Sequence, residues 1–218
     1  MKIFIDTADI NEIRKYAQMG IIDGVTTNPA LIAKLEAGTS TIDVVNDITA
    51  CVDGPLSVEV FNKDVKGMVK EAEYLANLHP NIVVKIPAIE TGYETLKILT
   101  SMGIKTNFTI IYTANQALLG AKLGATYVSP FVGRLDINST GGSDLIREIR
   151  TIYDHYGFKT QILAASMRTS VYVKEAALAG ADCATVPPVA LDDMINNELT
   201  KVSLDGFLAE YNASRSAS

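Results

Sequence analysis

The stretch IVVKIPAIETGYETLKILTSMGIKTNFT, residues 82–109, holds one complete structural repeat. Its first five residues (82–86) are rich in β-branched side chains and read as a strand. Residues 93–102 carry apolar side chains at helical period, and Gly103 follows them, as a glycine often follows the last turn of a helix. KTNFT (105–109) then reads as a second strand. A strand, a helix and a strand in this order form a parallel βαβ unit.

The same unit recurs in both directions along the chain. Further strand candidates are KIFID (2–6), GVTT (24–27), LSVEV (56–60), TYVS (126–129), TQILAA (160–165) and CATV (183–186). Helical candidates lie between them at 10–19, 65–78, 114–123, 144–156 and 172–179, several closed by Gly20, Gly124, Gly157 and Gly180. Eight alternations point to a parallel sheet. The first strand is followed by DTADINEI rather than GxGxxG, which disfavours a doubly wound dinucleotide-binding sheet. Eight units in 218 residues fit an α/β fold of the (β/α)8 TIM-barrel type, at the low end of its usual size. No linker rich in Pro, Gly or Ser divides the chain, so residues 1–218 are expected to form a single domain. An extra C-terminal helix is expected near 203–211, with Leu204, Phe207, Leu208 and Tyr211 on one face, covering the barrel or docking on a neighbouring subunit. Residues 213–218 read as a disordered tail.

Composition narrows the function. Hydrophobic residues at 48% and charged residues at 20% allow a sizeable core. Nineteen basic and 25 acidic residues give a net charge of −6, without a basic run or aromatics interleaved with basic residues. That argues against nucleic acid or an anionic membrane as the main partner, and leaves any anionic substrate to a few local cations. Cys51 and Cys183 have no CxxC spacing and read as reduced, buried thiols. His79 and His155 lack partners at metal spacing, and no metal is expected. The opening MKIFIDTADI does not read as a targeting segment, and no apolar run approaches the roughly 20 residues that span a bilayer. A soluble, cytoplasmic protein is expected.

In a barrel of this kind chemistry sits at the C-terminal ends of the strands, and alternate residues point inward. Polar residues should therefore gather at strand ends with i, i+2 parity. Asp6 ends the first strand, Thr26 and Asn28 leave the second, and Glu59 comes late in the third. Lys85 is late in the fourth, Asn107 and Thr109 end the fifth, Ser129 ends the sixth with Phe131 beyond, and Ser166 follows the seventh. Lys85 is flanked by Val83, Val84, Ile86 and Pro87, and lysine is rarely buried unless paired or functional. Burial disfavours its ammonium form, and a neutral amine attacks carbonyls. The plain alternatives are a lysine that snorkels to the barrel mouth or a structural ion pair with Glu59. Asp6 and Glu59 are the candidate proton handlers, although Asp6 also suits a helix cap in D-T-A-D. Arg134, in SPFVGRLD ahead of the polar loop 138–143, and Arg168 with Ser166, in ASMRTS, suit a phosphate clamp or a solvated face.

With these residues in view, IFIDTADI, GVTTNPALIAK, VVKIP, SPFVGRLD and ILAASMR resemble the transaldolases, whose small single-domain branch includes the fructose-6-phosphate aldolases. The match runs from Lys2 to about Phe207. The resemblance implies a (β/α)8 barrel without cofactor or metal, acting on sugar phosphates in the pentose phosphate pathway. It implies a Schiff base on Lys85, with Glu59 and Thr109 serving the carbinolamine through a water and Asp6 taking the C4 hydroxyl proton. Asn28 and Ser129 would hold the dihydroxyacetone hydroxyls, with Asn107 near the imine and Thr26 near the base. Arg134, Ser166 and Arg168 would hold phosphate. The aldolase branch carries Gln and Tyr where Glu59 and Phe131 stand, and lacks the Asn at 107 and the Ser at 129. All four positions here are transaldolase-like. A fructose-6-phosphate aldolase and a non-catalytic sugar-phosphate-binding barrel are the alternatives. The resemblance also implies a homo-oligomer, a decamer of two pentamers among small-branch relatives.

Overall fold

The computed structural model describes residues 1–35, 38–137 and 141–216. Eight parallel strands close into a barrel in chain order. They are β1 Lys2–Asp6, β2 Gly24–Thr26, β3 Leu56–Glu59, β4 Ile82–Pro87, β5 Thr106–Ile111, β6 Tyr127–Pro130, β7 Gln161–Ala164 and β8 Cys183–Val186. The helices up to the sixth strand are α1 Ile10–Gln18, α2 Pro29–Ile32, α3 Thr41–Thr49, α4 Val65–Ala76, α5 Glu90–Ser101 and α6 Ala114–Lys122. Those after it are α7 Val132–Ile137, α8 Gly142–Tyr156, α9 Ser170–Leu178, α10 Pro188–Ile195 and α11 Glu198–Ser216. The ring closes where β8 pairs with β1, Phe4 opposite Thr185.

Local chemistry sets the repeats. Gly20, Gly103, Gly124, Gly157 and Gly180 all adopt positive φ, the left-handed turn that glycine enters without strain. Side-chain caps start the helices. Asp9, Asp64 and Thr113 accept backbone N–H groups at the starts of α1, α4 and α6, and Ser40 with Asp43 forms a capping box at α3. Asp6 is therefore not the cap of α1.

Two apolar regions result. The larger lies between strands and helices and includes Ile13, Tyr16, Met68, Leu96, Ile146 and Tyr153. The smaller fills the barrel interior with Phe4, Val83, Tyr127, Leu163 and Cys183. Burial pushes the Tyr127 hydroxyl and the Cys183 thiol up to about 12, so this floor stays uncharged at neutral pH.

The sequence pattern departs from the structure in several places. It named no helix at α2, α3, α7 or α10. Cys51 is only half-buried, with its thiol donating to the Ile48 carbonyl at 3.3 Å. The C-terminal helix is longer than 203–211 and continues to Ser216, into the stretch read as a disordered tail. Residues 138–140 of the polar loop and residues 217–218 lie outside the described residues. Among the described residues no helix is long and apolar enough to cross a membrane.

Candidate active site

The interior parity that builds the floor also builds the site. Two residues beyond Phe4, Val83, Tyr127, Leu163 and Cys183 stand Asp6, Lys85, Ser129, Ala165 and Thr185. All five line one cavity of about 150 Å³ at the C-terminal ends of the strands. The strands thus raise a polar layer directly on an apolar one.

Lys85 is buried, 7% exposed. Its register partners are Glu59 on β3 and Asn107 on β5. Its Nζ lies 3.2 Å from Glu59 Oε2 and donates to the Thr27 carbonyl at 3.0 Å. The ion pair with Glu59 is therefore present, and it sits inside the site rather than away from it. Lys85 does not snorkel.

Asp6 stands opposite Thr26 in the β1–β2 register, and the Thr26 hydroxyl donates to its Oδ1 at 2.7 Å. Burial pushes the Asp6 carboxyl above the ordinary carboxylate range, against the opposing pull of that hydrogen bond and of the Lys85 charge. Such a group is poised to accept and return a proton.

Asn107 is fully buried and bridges two strands. Its amide donates to Ser57 Oγ at 3.2 Å, while Ser129 Oγ donates to its carbonyl oxygen at 2.7 Å. Asn28 caps α2, accepting the Leu31 N–H at 3.0 Å through Oδ1, so its amide end remains for the cavity that it lines. The Thr109 hydroxyl is buried without a hydrogen-bond partner among the described residues. It precedes Ile110, whose φ of 61° is rare for a β-branched residue and coincides with a register shift between β5 and β6. Strain of this sort gathers at functional sites.

At the rim, Phe131 packs edge-on against Tyr112 at 5.9 Å, and the Arg134 guanidinium lies 5.4 Å from the Phe131 ring centroid. Arg134 also donates to the Tyr112 hydroxyl at 3.5 Å. Ser166 holds a φ of 62°, and its carbonyl oxygen touches the place where a β-carbon on Gly133 would sit. That close approach requires glycine and ties the start of α7 to the end of β7.

All the positions singled out in the sequence line the cavity except two. Glu59 reaches it through Lys85. Arg168 is exposed outside the lining, its stem beside Gly133. The sequence reading missed Thr185, Ala165 and Ser57. Strand-end parity applied to CATV would have exposed Thr185, since it is the only polar side chain late in that strand.

The family model described as Transaldolase/Fructose-6-phosphate aldolase matches residues 3–217. A probable transaldolase from Carboxydothermus hydrogenoformans is 54% identical over 213 residues, covering 98% of this chain and 99% of that one. One from Hydrogenobaculum sp. is 51% identical over 211 residues, covering 97% and 96%. Among solved structures, a thiamine phosphate pyrophosphorylase from Pyrococcus furiosus superposes with a TM-score of 0.56 over 85% of each chain at 13% identity, a likeness of fold alone.

Proposed function

Because the chain belongs to the transaldolase/fructose-6-phosphate aldolase family, we propose that it is a transaldolase working through a Schiff base on Lys85. It moves a dihydroxyacetone unit from a ketose phosphate, sedoheptulose 7-phosphate or fructose 6-phosphate, to an aldose phosphate. The observation that carries this reading is the buried Lys85, 3.2 Å from Glu59, in one cavity with Asp6.

The unprotonated Lys85 amine attacks the ketone carbon. Glu59 holds the proton that the ammonium gave up, and a second N–H proton passes to the alkoxide oxygen to give the carbinolamine. Glu59 then protonates the carbinolamine hydroxyl, which leaves as water as the nitrogen electrons form the iminium. The Thr109 hydroxyl, without a partner among the described residues, is the natural holder of that oxygen. Asp6 then removes the C4 hydroxyl proton while the C3–C4 bond breaks. The bond electrons flow into the iminium, leaving an enamine on Lys85 and releasing an aldose phosphate. The enamine carbon attacks the acceptor aldehyde, Asp6 returns its proton, and hydrolysis frees the new ketose. Asn28 and Ser129 hold the dihydroxyacetone hydroxyls, Asn107 lies near the imine, and Thr26 orients Asp6. Arg134 and Ser166 hold phosphate, with Arg168 flanking from outside the lining.

Phe131 favours transfer over release, because it offers no hydroxyl to protonate the enamine. The substrates and the two unpaired cysteines fit a cytoplasmic pentose phosphate pathway enzyme. Every side chain of α11 from Glu198 to Arg215 is exposed, Phe207 at 69%. An apolar stripe left uncovered on its own barrel supports a homo-oligomer in which α11 docks on a neighbouring copy.

The test is borohydride reduction with fructose 6-phosphate, followed by mass analysis and transfer assays with erythrose 4-phosphate. An adduct on Lys85, with turnover dependent on the acceptor, is expected. Turnover indifferent to the acceptor would mean an aldolase, and no adduct would reduce the protein to a sugar-phosphate-binding barrel.

A further inference from the structure

Three hydroxyl and carboxyl groups form a chain across the seam where the barrel closes. Strand β1 lies between β8 and β2, and Thr185 of β8 meets Thr26 of β2 on the interior side, Oγ1 to Oγ1 at 2.5 Å. Thr26 Oγ1 also lies 2.7 Å from Asp6 Oδ1, to which it donates. A hydroxyl has one proton. With the Thr26 proton committed to the carboxylate, Thr185 must donate to Thr26, and the chain runs Thr185 to Thr26 to Asp6.

A buried threonine in a strand needs no such role, because a β-branched side chain suits the pleat and its hydroxyl can bond a neighbouring carbonyl. Thr27 and Thr160 do that, donating to the Ser57 and Ala125 carbonyls. Thr185 instead turns its hydroxyl into the cavity it lines, onto the group that holds Asp6.

We infer that Thr185 is a positioning residue for the proton acceptor Asp6, acting through Thr26. This rests on the Schiff-base reading above, in which Asp6 takes the C4 proton. The Thr185 proton fixes the rotamer of the Thr26 hydroxyl and polarises it, which favours the ionised carboxylate. Without it, the Thr26 oxygen loses its donor, its hydroxyl is free to turn elsewhere, and the carboxyl holds its proton to higher pH. The charged groups facing Asp6 in the same cavity are Lys85 from β4, with Glu59 of β3 paired to it, and Arg134 at the rim. They are left in place by a change at 185.

The experiment compares wild type with Thr185→Val, which keeps the branched shape, and Thr185→Ser, which keeps the hydroxyl. The Asp6 carboxyl is followed by carbon-13 NMR titration of the free protein, which does not depend on the reaction. Borohydride trapping and transfer kinetics follow. In Thr185→Val the Asp6 titration and the acid limb of kcat should move to higher pH. Below that limb kcat should fall about two- to tenfold, the span of one neutral hydrogen bond, with KM and Lys85 trapping little changed. Thr185→Ser should restore both the titration and the rate. An Asp6 titration unmoved in Thr185→Val, or moved equally in Thr185→Ser, overturns the inference. If Thr185→Val fails to fold, Thr185→Ala carries the same comparison. Failure of wild type to trap at Lys85 would instead sink the Schiff-base reading, while the carboxyl titration would still decide whether Thr185 positions Asp6.

Discussion

Asp6→Asn should make the protein more stable at neutral pH and nearly inactive, and the two effects have separate causes. Asparagine keeps an oxygen where Oδ1 accepts the Thr26 hydroxyl at 2.7 Å, so that bond survives. What disappears is the ability to take the C4 proton. General base catalysis contributes about 10²- to 10⁴-fold, which is roughly 3–5 kcal/mol of barrier. Carbinolamine chemistry should be spared, because Glu59, at 3.2 Å from the amine, serves that step. Stability follows from the carboxyl itself. Burial raises its folded-state pKa above the unfolded one, so between the two values the folded chain binds more protons. Wild-type stability therefore falls as pH rises through that interval, and an amide does not share the fall. Urea midpoints of variant and parent should converge at acid pH, below the ordinary carboxylate range, and separate in favour of the variant toward neutrality. Rapid-quench borohydride trapping should give adduct formation within about threefold of wild type, set against cleavage lost by the factor above. Trapping and cleavage that fall in parallel would refute the assignment of Asp6 to the bond-breaking step.

The other perturbations read different parts of the site. Lys85→Met should abolish trapping and, by leaving the largely covered Glu59 carboxylate (side chain 14% exposed) without its cation, cost about 3 kcal/mol in urea denaturation. Adding Glu59→Gln to it should recover part of that loss. Phe131→Tyr should raise release of free dihydroxyacetone relative to transfer, and an unchanged product ratio would refute the role given to Phe131. Light scattering should give a mass near ten times the 23.4 kDa chain, and Phe207→Glu on the exposed face of α11 should lower it.

The barrel was legible because its signals are local. Apolar β-branched runs, helical period and closing glycines recur in each unit, and five of those glycines do take positive φ. The short helices escaped for the opposite reason. Four residues of α2 and six of α7 cannot show a period, although the start of α3 was marked by Ser40 and Asp43 in capping positions. The site was legible through parity, since a polar residue in an apolar strand has few reasons to be there. Parity says which face a side chain takes and nothing of what it meets. The pairing of Lys85 with Glu59 could be named because consecutive strands are neighbours. The meeting of Thr185 with Thr26 instead depends on β8 returning beside β1, and that is fixed only when the ring closes. Arg168 shows the limit from the other side. A guanidinium beyond a strand end has a long reach, and its position in the chain did not predict that its head would lie outside the cavity.

The distribution of hydrogen-bond partners within the site sharpens the functional reading further. Asp6, Thr26, Thr185, Lys85, Asn107 and Ser129 all find protein partners, which holds them in place before any substrate arrives. Preorganised groups lose little freedom when the reaction begins. Thr109 differs. Its buried hydroxyl has no hydrogen-bond partner among the described residues, a condition that costs about 1–3 kcal/mol, and it stands beside the strained Ile110. A fold that only needed to stand would gain by placing valine there. On the proposed mechanism an oxygen held by Thr109, whether of water or of the carbinolamine, would recover the lost hydrogen bond at the step where the substrate carbon bound to Lys85 sheds and regains its hydroxyl. The least satisfied side chain of the layer thus points to the place where the layer is completed by what it binds.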